Sequence, residues 1–473
     1  MLLASFLLGF MAIPQAESIT IAADLLHDGR GNTIEKAIVL IEGGRIVSIS
    51  SGSAPRGSIY VENATLTPGL VDAYSLMGVT NSTVEQRRES TPALMLSASA
   101  DLDSSAFAHA VSQGVTSAFV TPDSLNVIGG LGMVVKTSGG KSSNLFTPGD
   151  SAAKVLSDSA ALKISLGSDA SRQNHSPWGE PNDVFTRRPT TRMGVTWVVR
   201  RQFHAAIAYR KARSEGKATL DADMEVLVAA LEGEIPVRVH ARRAHDIQTA
   251  LRLREEFGWP FMIIEEGTES HKIAHILSEA GIPVVLGPAY DASGKSITSS
   301  PTLEELRELA SPPAVCCEHE HEEEDREGTG VVPVDGIARD ILLLAVRPGE
   351  ASGLSSGRWS EGDFATPATA GLLANAGTSF ALGGAEAHDA LATEASLIHQ
   401  ARQAVRWGLS PEAALAACTS IPAALCGLSE QTGSLEPGMA ADLVLWSGDP
   451  LDASANPLLV LIDGQVVVDN RAE

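Results

Sequence analysis

Apolar positions along this chain recur in two rhythms, and the order of those rhythms predicts the architecture. Near the start, ITIAADLL and AIVLIEGGRIVSIS read as strands; Glu42-Gly43-Gly44-Arg45 divides the second into two alternating runs, a hairpin signal. The other end repeats the theme, with ADLVLWSGDP followed by LLVLIDGQVVVDN, whose Asp463-Gly464 is a two-residue turn. Two strand-rich ends around a long middle predict that the ends pair into one small β-domain. In the middle, the compact β-rich runs SAFVT (117–121), PVRVHA (236–241), PFMIIEE (260–266), IPVVLGP (282–288) and TSFALGG (378–384) alternate with amphipathic stretches. DIQTALRLREEFG, ESHKIAHILSEAG and ATEASLIHQARQAVRWG carry apolar residues at spacings of three and four, and Gly258, Gly281 and Gly408 stop them. This βαβα rhythm predicts a parallel sheet with right-handed crossovers, and its wealth of helices favours a closed barrel over an open sheet. Residues 289–363 break the rhythm with turn-rich segments, the run CCEHEHEEED (316–325) and GLSSGRWSEGD. So long an interruption reads as a functional lid, a disordered insert or an elaboration of the fold.

Composition narrows the partners. A length of 473 residues with 44% hydrophobic content supports one large core or two domains, and a formal charge of −23 argues against nucleic acid or an anionic membrane surface. The opening MLLASFLLGFMAIPQAES has the apolar core of a secretory signal, ending in the small residues Ala16 and Ser18. Cleavage is expected after Ser18, with Ala16 as second choice, giving an exported protein, periplasmic or extracellular. Because no Lys or Arg precedes the apolar run, a misassigned start codon and a buried first strand stay open as alternatives. No later stretch reaches the roughly 18 apolar residues of a membrane span. The four cysteines do not make a disulfide scaffold: Cys316 and Cys317 are adjacent, and Cys418 and Cys426 read as core thiols in an apolar helical stretch.

Longer motifs carry a family resemblance. TPGLVDAYSLMG (67–78) resembles the first barrel strand of the amidohydrolase superfamily, ordinarily PGLVDAH-x-H. VHARRAHDIQTALRLREEFG (239–258) resembles the fifth strand and helix of its imidazolonepropionase-like branch, and IIEEGTESHKIAHILSEAGIPVVLGP (263–288) the sixth and seventh. SFALGGAEAH, GLSPEAALAACTSIPAALCGL and GSLEPGMAADLVLWSGDP resemble the eighth strand and closing segment, while 112–140 and TRMGV (191–195) fit the same branch. The resemblance implies an α/β fold, a TIM-type (β/α)8 barrel plus a small β-sandwich built from both chain ends. The implied division is a signal peptide at 1–18, sandwich at 19–65 and 430–473, and barrel at 66–429 with the insertion 289–363. It also implies hydrolysis of non-peptide C–N bonds, in amides or cyclic amides, assisted by a divalent metal such as zinc that acidifies bound water.

The family's ligand pattern maps poorly onto this chain. Its two strand-one histidines fall on Tyr74 and Leu76, its strand-five histidine on His240, its strand-six histidine on Glu266, and its strand-eight aspartate, the proton shuttle, on Ala385. His240 alone is unchanged, and Glu266 has donor oxygens. A catalytic zinc site normally has three protein ligands and an open position, so a degenerate metal site and a pseudoenzyme are expected. His240 reads as scaffold or as a ligand. Arg242 lies two residues on, pointing the same way by strand alternation, so an Arg242–Glu266 pair either fills the metal position with fixed charge or faces solvent. His271, Glu386 and His388 lie close enough to the old positions to form a relocated ligand set, although a polar position like His271, on the helix after strand six, is ordinarily exposed. CCEHEHEEED reads as a solvated acidic loop or a site of metal capture, and GGLGMVVKTSGGK (129–141) as a strand and turn of the barrel, since it lacks the order of a phosphate loop.

Three functions compete: a non-catalytic barrel binding a small-molecule ligand or protein partner, a hydrolase with altered metal ligation, and an exported metal-sequestering protein.

Overall fold

The computed structural model describes residues 18–79, 83, 85, 87–141, 152–167, 169–172, 188–287, 366–384 and 396–471. The apolar stretch 1–17, the insertion 289–363 with its run 316–325, and Ala385, Glu386 and His388 lie outside the described residues.

Five strands open the described chain: β1 (Ser18–His27), β2 (Thr33–Glu42), β3 (Arg45–Ser51), β4 (Ile59–Tyr60) and β5 (Thr65–Pro68). The barrel strands follow as β6 (Leu70–Ser75), β7 (Val115–Val120), β8 (Ile128–Gly140), β9 (Ala152–Ser165), β10 (Val237–His240), β11 (Met262–Glu265), β12 (Val284–Leu286) and β13 (Phe380–Leu382). They form one eight-stranded sheet in sequence order. Its two edges meet at glycine: a Cβ on Gly383 would lie 2.7 Å from that of Tyr74. Asp72 fastens this seam, its Oδ1 accepting from the backbone N–H of Tyr74 at 3.0 Å and of Gly384 at 2.9 Å. The result is a nearly closed barrel of the TIM type.

One expectation is corrected. The sheet is not wholly parallel, because β8 runs antiparallel to both β7 and β9. A parallel crossover needs a dozen or more residues, usually with a helix, and the stretch between Gly140 and Ala152 is too short for one. The remaining ladders, β6–β7 and β9 through β13, are parallel.

Helices cover the barrel where the apolar periodicity placed them. The helix Ala244–Phe257 buries Ile247, Ala250 and Leu253 and stops at Gly258, whose φ of +68° an L side chain rarely adopts. Its neighbour after β11 begins as a short 3-10 turn, Ser270–Ile273, before the helix Ala274–Glu279.

Three strands complete the second sheet, β14 (Leu443–Trp446), β15 (Pro457–Ile462) and β16 (Gln465–Asp469), in the order β16-β15-β14-β5-β1-β2-β3, with β4 against β1. Both ends of the described chain thus build one β-domain, and the side chains alternate as a strand requires. Leu443, Leu445, Leu459 and Leu461 join Ile21, Val39, Ile41 and Leu66 in its own core. Val444, Trp446, Val460 and Ile462 face the barrel core instead. The seam is fixed by the Trp446 indole N–H donating to Thr67 Oγ1 at 2.8 Å, between residues 379 apart in sequence. The two hairpin tips abut, since a Cβ on Gly44 would lie 2.6 Å from the Asp463 carbonyl oxygen. Beside them Lys136 of β8, almost fully buried, pairs with Asp442 at 3.0 Å and with Asp463.

Candidate functional site at the barrel mouth

Alternation along VRVH turns Val237 and Val239 into the layer between sheet and helices and leaves Arg238 and His240 on the opposite face. Arg238 meets Lys163 of β9 and Glu265 of β11 inside the barrel, where branched apolar side chains would be usual. The side chains of Lys163, Arg238 and Glu265 are 1%, 1% and 0% exposed. Arg238 Nε lies 2.7 Å from Glu265 Oε1, and Lys163 donates to Glu265 Oε2. Arg238 also donates to the Ala73 carbonyl at 2.5 Å, and its guanidinium lies 3.7 Å from the centre of the Phe119 ring. Burial alone would raise the Glu265 carboxyl, yet Lys163 and Arg238 outweigh it and hold the group below its ordinary range. Asp72 has no such pair of cations against it. Burial pushes it up to about 7, despite its backbone donors and the nearby Arg238.

Nearer the C-terminal ends of the strands, four side chains form a closed ring. His240, fully buried, places Nε2 at 3.0 Å from Asp169 Oδ2 and Nδ1 at 3.4 Å from Glu266 Oε2. Arg242 closes the ring on the same two oxygens, with Nη1 at 3.0 Å from Asp169 Oδ2 and Nη2 at 2.6 Å from Glu266 Oε2. Arg242 Nε also donates to Glu266 Oε2 at 2.6 Å. Asp169 opens the short helix Asp169–Arg172 just past β9. Glu266 follows β11 with a φ of +51°, a left-handed conformation that costs a non-glycine residue about 1 kcal/mol or more. Burial opposes charge on Arg242 and Glu266 alike. Their mutual attraction wins, holding the guanidinium above and the carboxyl below their ordinary ranges.

Comparison with known proteins decides the family. A family model described as the Amidohydrolase family matches residues 354–468. The amidohydrolase tasK of Hapsidospora irregularis is 24% identical over 465 residues, covering 91% of this chain and 40% of tasK. An amidohydrolase from Thermotoga maritima MSB8 superposes with a TM-score of 0.69 at 28% identity, covering 95% of this chain and all of that one. The chain belongs to the amidohydrolase superfamily. A prolidase complexed with N-methylphosphonate-L-proline shares the fold, at a TM-score of 0.52 and 18% identity over 96% of this chain and all of that one. The chain spans about 40% of the length of tasK, the curated relative it matches.

Amidohydrolases typically use divalent metals, so the residues at the corresponding positions matter. Tyr74 is buried among Ala73, Ile263, Val285 and Ala381, with the Lys163 ammonium 4.9 Å from its ring centre. Burial, joined by the carboxylates of Glu266 and Glu265, pushes its phenol well above the usual range, so it stays protonated. Leu76 packs against the apolar cluster of Met77, Leu96 and Phe107. His240 and Glu266 do meet, yet Asp169 and Glu266 take opposite nitrogens of the one imidazole and leave no common point between the three groups. Among the described residues, no three of His, Cys, Asp or Glu are arranged to hold a metal ion. The donors described here therefore do not fit the family's metal.

His271 is placed differently from the exposed helical position that its spacing suggested. It lies in the 3-10 turn, partly buried, with Nδ1 3.3 Å from Thr369 Oγ1. Burial pushes its imidazole down to about 4. Glu269, in the EEGTE run, has a structural duty, accepting from the Ala244 N–H at the start of the preceding helix, Ala244–Phe257, at 2.9 Å and pairing with Lys272. Sequence reasoning missed Asp169, Lys163, Arg238 and Glu265. The signal for the first was SLGSD, a carboxylate just past a strand; for Lys163 and Arg238 it was charge alternating with buried aliphatics in LKIS and VRVH, and for Glu265 a carboxylate ending the apolar run MIIE.

Proposed function

We propose that this amidohydrolase-superfamily barrel acts by binding a small molecule or a protein partner, its mouth built around an internal ion ring in place of the hydrolytic metal centre. The ring of His240, Asp169, Arg242 and Glu266 carries the reading: each carboxylate oxygen is shared between the imidazole and the guanidinium. Leu76 has no lone pair, Tyr74 stays a neutral phenol, and Ala385 supplies neither ligand nor proton shuttle. Arg242, 28% exposed, and Asp169, 14% exposed, are the ring members within reach of a ligand. The protein is further proposed to be exported and trimmed near Ser18, which N-terminal sequencing of the mature chain tests; intact Met1 in cytoplasmic protein would refute it.

A second reading has its own support in the 28% identity to the Thermotoga amidohydrolase over that chain's full length. On this reading C–N hydrolysis persists with altered ligation, recruiting Glu386 and His388. The test is metal content of the mature protein after dialysis, with zinc, cobalt and manganese then supplied in a screen of amides, lactams and esters. Binding without hydrolysis predicts no stoichiometric metal and no turnover. Stoichiometric metal with turnover abolished by His240→Ala would establish the hydrolase. Metal that disappears when residues 316–325 are deleted would instead assign it to the acidic run.

A further inference from the structure

We infer that the end of the barrel opposite the mouth holds a second binding site, a cleft for a small hydrophobic molecule that carries one carboxylate, with Arg254 as its anchor. The inference goes beyond the reading of the mouth and does not depend on it.

The cleft forms where three neighbouring parallel strands begin. Pro236 precedes β10, Pro260 and Phe261 lead into β11, and Pro283 precedes β12. A proline has no backbone N–H to offer the sheet, so each is suited to a strand start and presents an apolar ring there. The carbonyls of Pro236, Phe261 and Pro283 accept from the N–H groups of Leu162, Val237 and Ile264 at 2.8, 3.0 and 3.0 Å, so these polar atoms of the wall are already paired. Ala424 and Leu425 of the helix Ser420–Leu425 also line the cleft. Its volume is about 310 Å³, at the small end of the range for small-molecule sites. Phe261 lines it while 60% exposed, an apolar surface that a bound molecule would cover.

A second observation names the polar end of the ligand. Arg254 lies in the last turn of the helix Ala244–Phe257 and is the charged member of the cleft lining among the described residues. Its Nε is buried with no hydrogen-bond partner among them. Arg238 and Arg242, by contrast, each reach a carboxylate. A buried donor is rarely left unpaired, and a guanidinium matches a carboxylate with two parallel hydrogen bonds. One cation in an apolar wall suits a single negative charge. A doubly charged phosphate fits poorly, because the carbonyl end of the helix beside Arg254 carries partial negative charge.

The experiment measures binding of 3-phenylpropionate and hexanoate, one aromatic and one aliphatic acid, by isothermal titration calorimetry. The expected result is saturable 1:1 binding of at least one acid to the wild-type protein, with a Kd of about 1 mM or tighter. The matching carboxamide, similar in shape and uncharged, should bind at least about tenfold more weakly, since hydrogen bonds to charged groups are the stronger ones. Arg254→Met should weaken the acid by a similar factor and leave the carboxamide unchanged, whereas Arg254→Lys should keep part of the affinity. Phe261→Ser, at an exposed position, should weaken acid and carboxamide alike. Should Arg254→Met fail to fold, the comparison of acid with carboxamide in wild type and the Phe261→Ser variant decide the matter. Absence of saturable binding by both acids, a carboxamide that binds as well as its acid, or wild-type affinity in Arg254→Met or Phe261→Ser would overturn the inference. So would binding that Arg242→Lys abolishes, which would locate the acid at the mouth.

Discussion

Replacing Glu265 with glutamine removes one negative charge and almost no volume from the barrel interior, and should be among the most damaging conservative changes in the protein. Lys163 and Arg238 both lean on this carboxylate, and the three side chains are essentially inaccessible to water. Breaking a buried ion pair by deleting one partner typically costs about 3–5 kcal/mol, because the remaining charge is left uncompensated. Here two cations are stranded, and the upper part of that range is expected, against a total stability of roughly 5–15 kcal/mol for a typical domain. The pH dependence is a second signature. The Glu265 carboxyl is held below its ordinary value of 4.5, so its contribution is present above that pH and disappears as pH falls toward the depressed value in the fold. The gap between wild type and Glu265→Gln should therefore be full at pH 7 and shrink below about pH 4.5. Urea denaturation followed by circular dichroism at several pH values measures both effects. A triple variant, Lys163→Met with Arg238→Met and Glu265→Leu, should recover most of the loss, since apolar residues of similar volume commonly replace buried charges without penalty. A loss below ~1 kcal/mol in Glu265→Gln at pH 7, or a gap that widens in acid, would refute this account of the barrel interior.

Four further outcomes are expected. Gly44→Ala should cost about 2 kcal/mol or more in urea denaturation, because φ is +80° and the new Cβ would lie 2.6 Å from the Asp463 carbonyl oxygen. Gly43→Ala, with φ +58° and open space around it, should cost about half as much. Lys136→Met should destabilise by about 3 kcal/mol, since it strands the fully buried Asp442, and thermal unfolding should show the loss. His271 is kept neutral by burial, its imidazole down at about 4 from an ordinary 6.5, so the unfolded chain takes up this proton first and stability falls as pH drops from 6.5 toward 4. His271→Gln should flatten that slope by up to about 1.4 kcal/mol per pH unit, measured by melting temperature across the window.

Elements whose signal is local were legible in the sequence. Asp463-Gly464 and Gly43-Gly44 adopt positive φ and turn the hairpins at their expected places, because short turns depend on residues within them. The five short runs of the middle are strands, each buried along its whole length. What escaped notice depends on distant partners. The antiparallel direction of β8 depends on pairing with β7 and β9, and it follows from the short connection to β9. No strand was assigned at 152–165, so Asp169 had no strand end to mark it. Arg238 looked like the polar side of a half-exposed strand, because nothing in VRVH says that Glu265 and Lys163 will meet it in the interior. At the mouth, strand alternation turned Arg242 the same way as His240 and the resemblance set Glu266 at a ligand position, whereas the closed ring required Asp169.

The bond between Trp446 and Thr67 spans 379 residues, and this separation sets a timetable for biosynthesis. At about 5–20 residues per second, roughly 20–75 s pass between emergence of β5 from the ribosome and arrival of its partner β14. Throughout that interval β5 presents an unpaired edge, and the apolar faces of β1 and β2 lack half of their core. The nascent chain is therefore most vulnerable to association with other chains before its last strands are made, and demand for chaperones should concentrate in that period. Slow translation would lengthen the exposure without changing the finished protein.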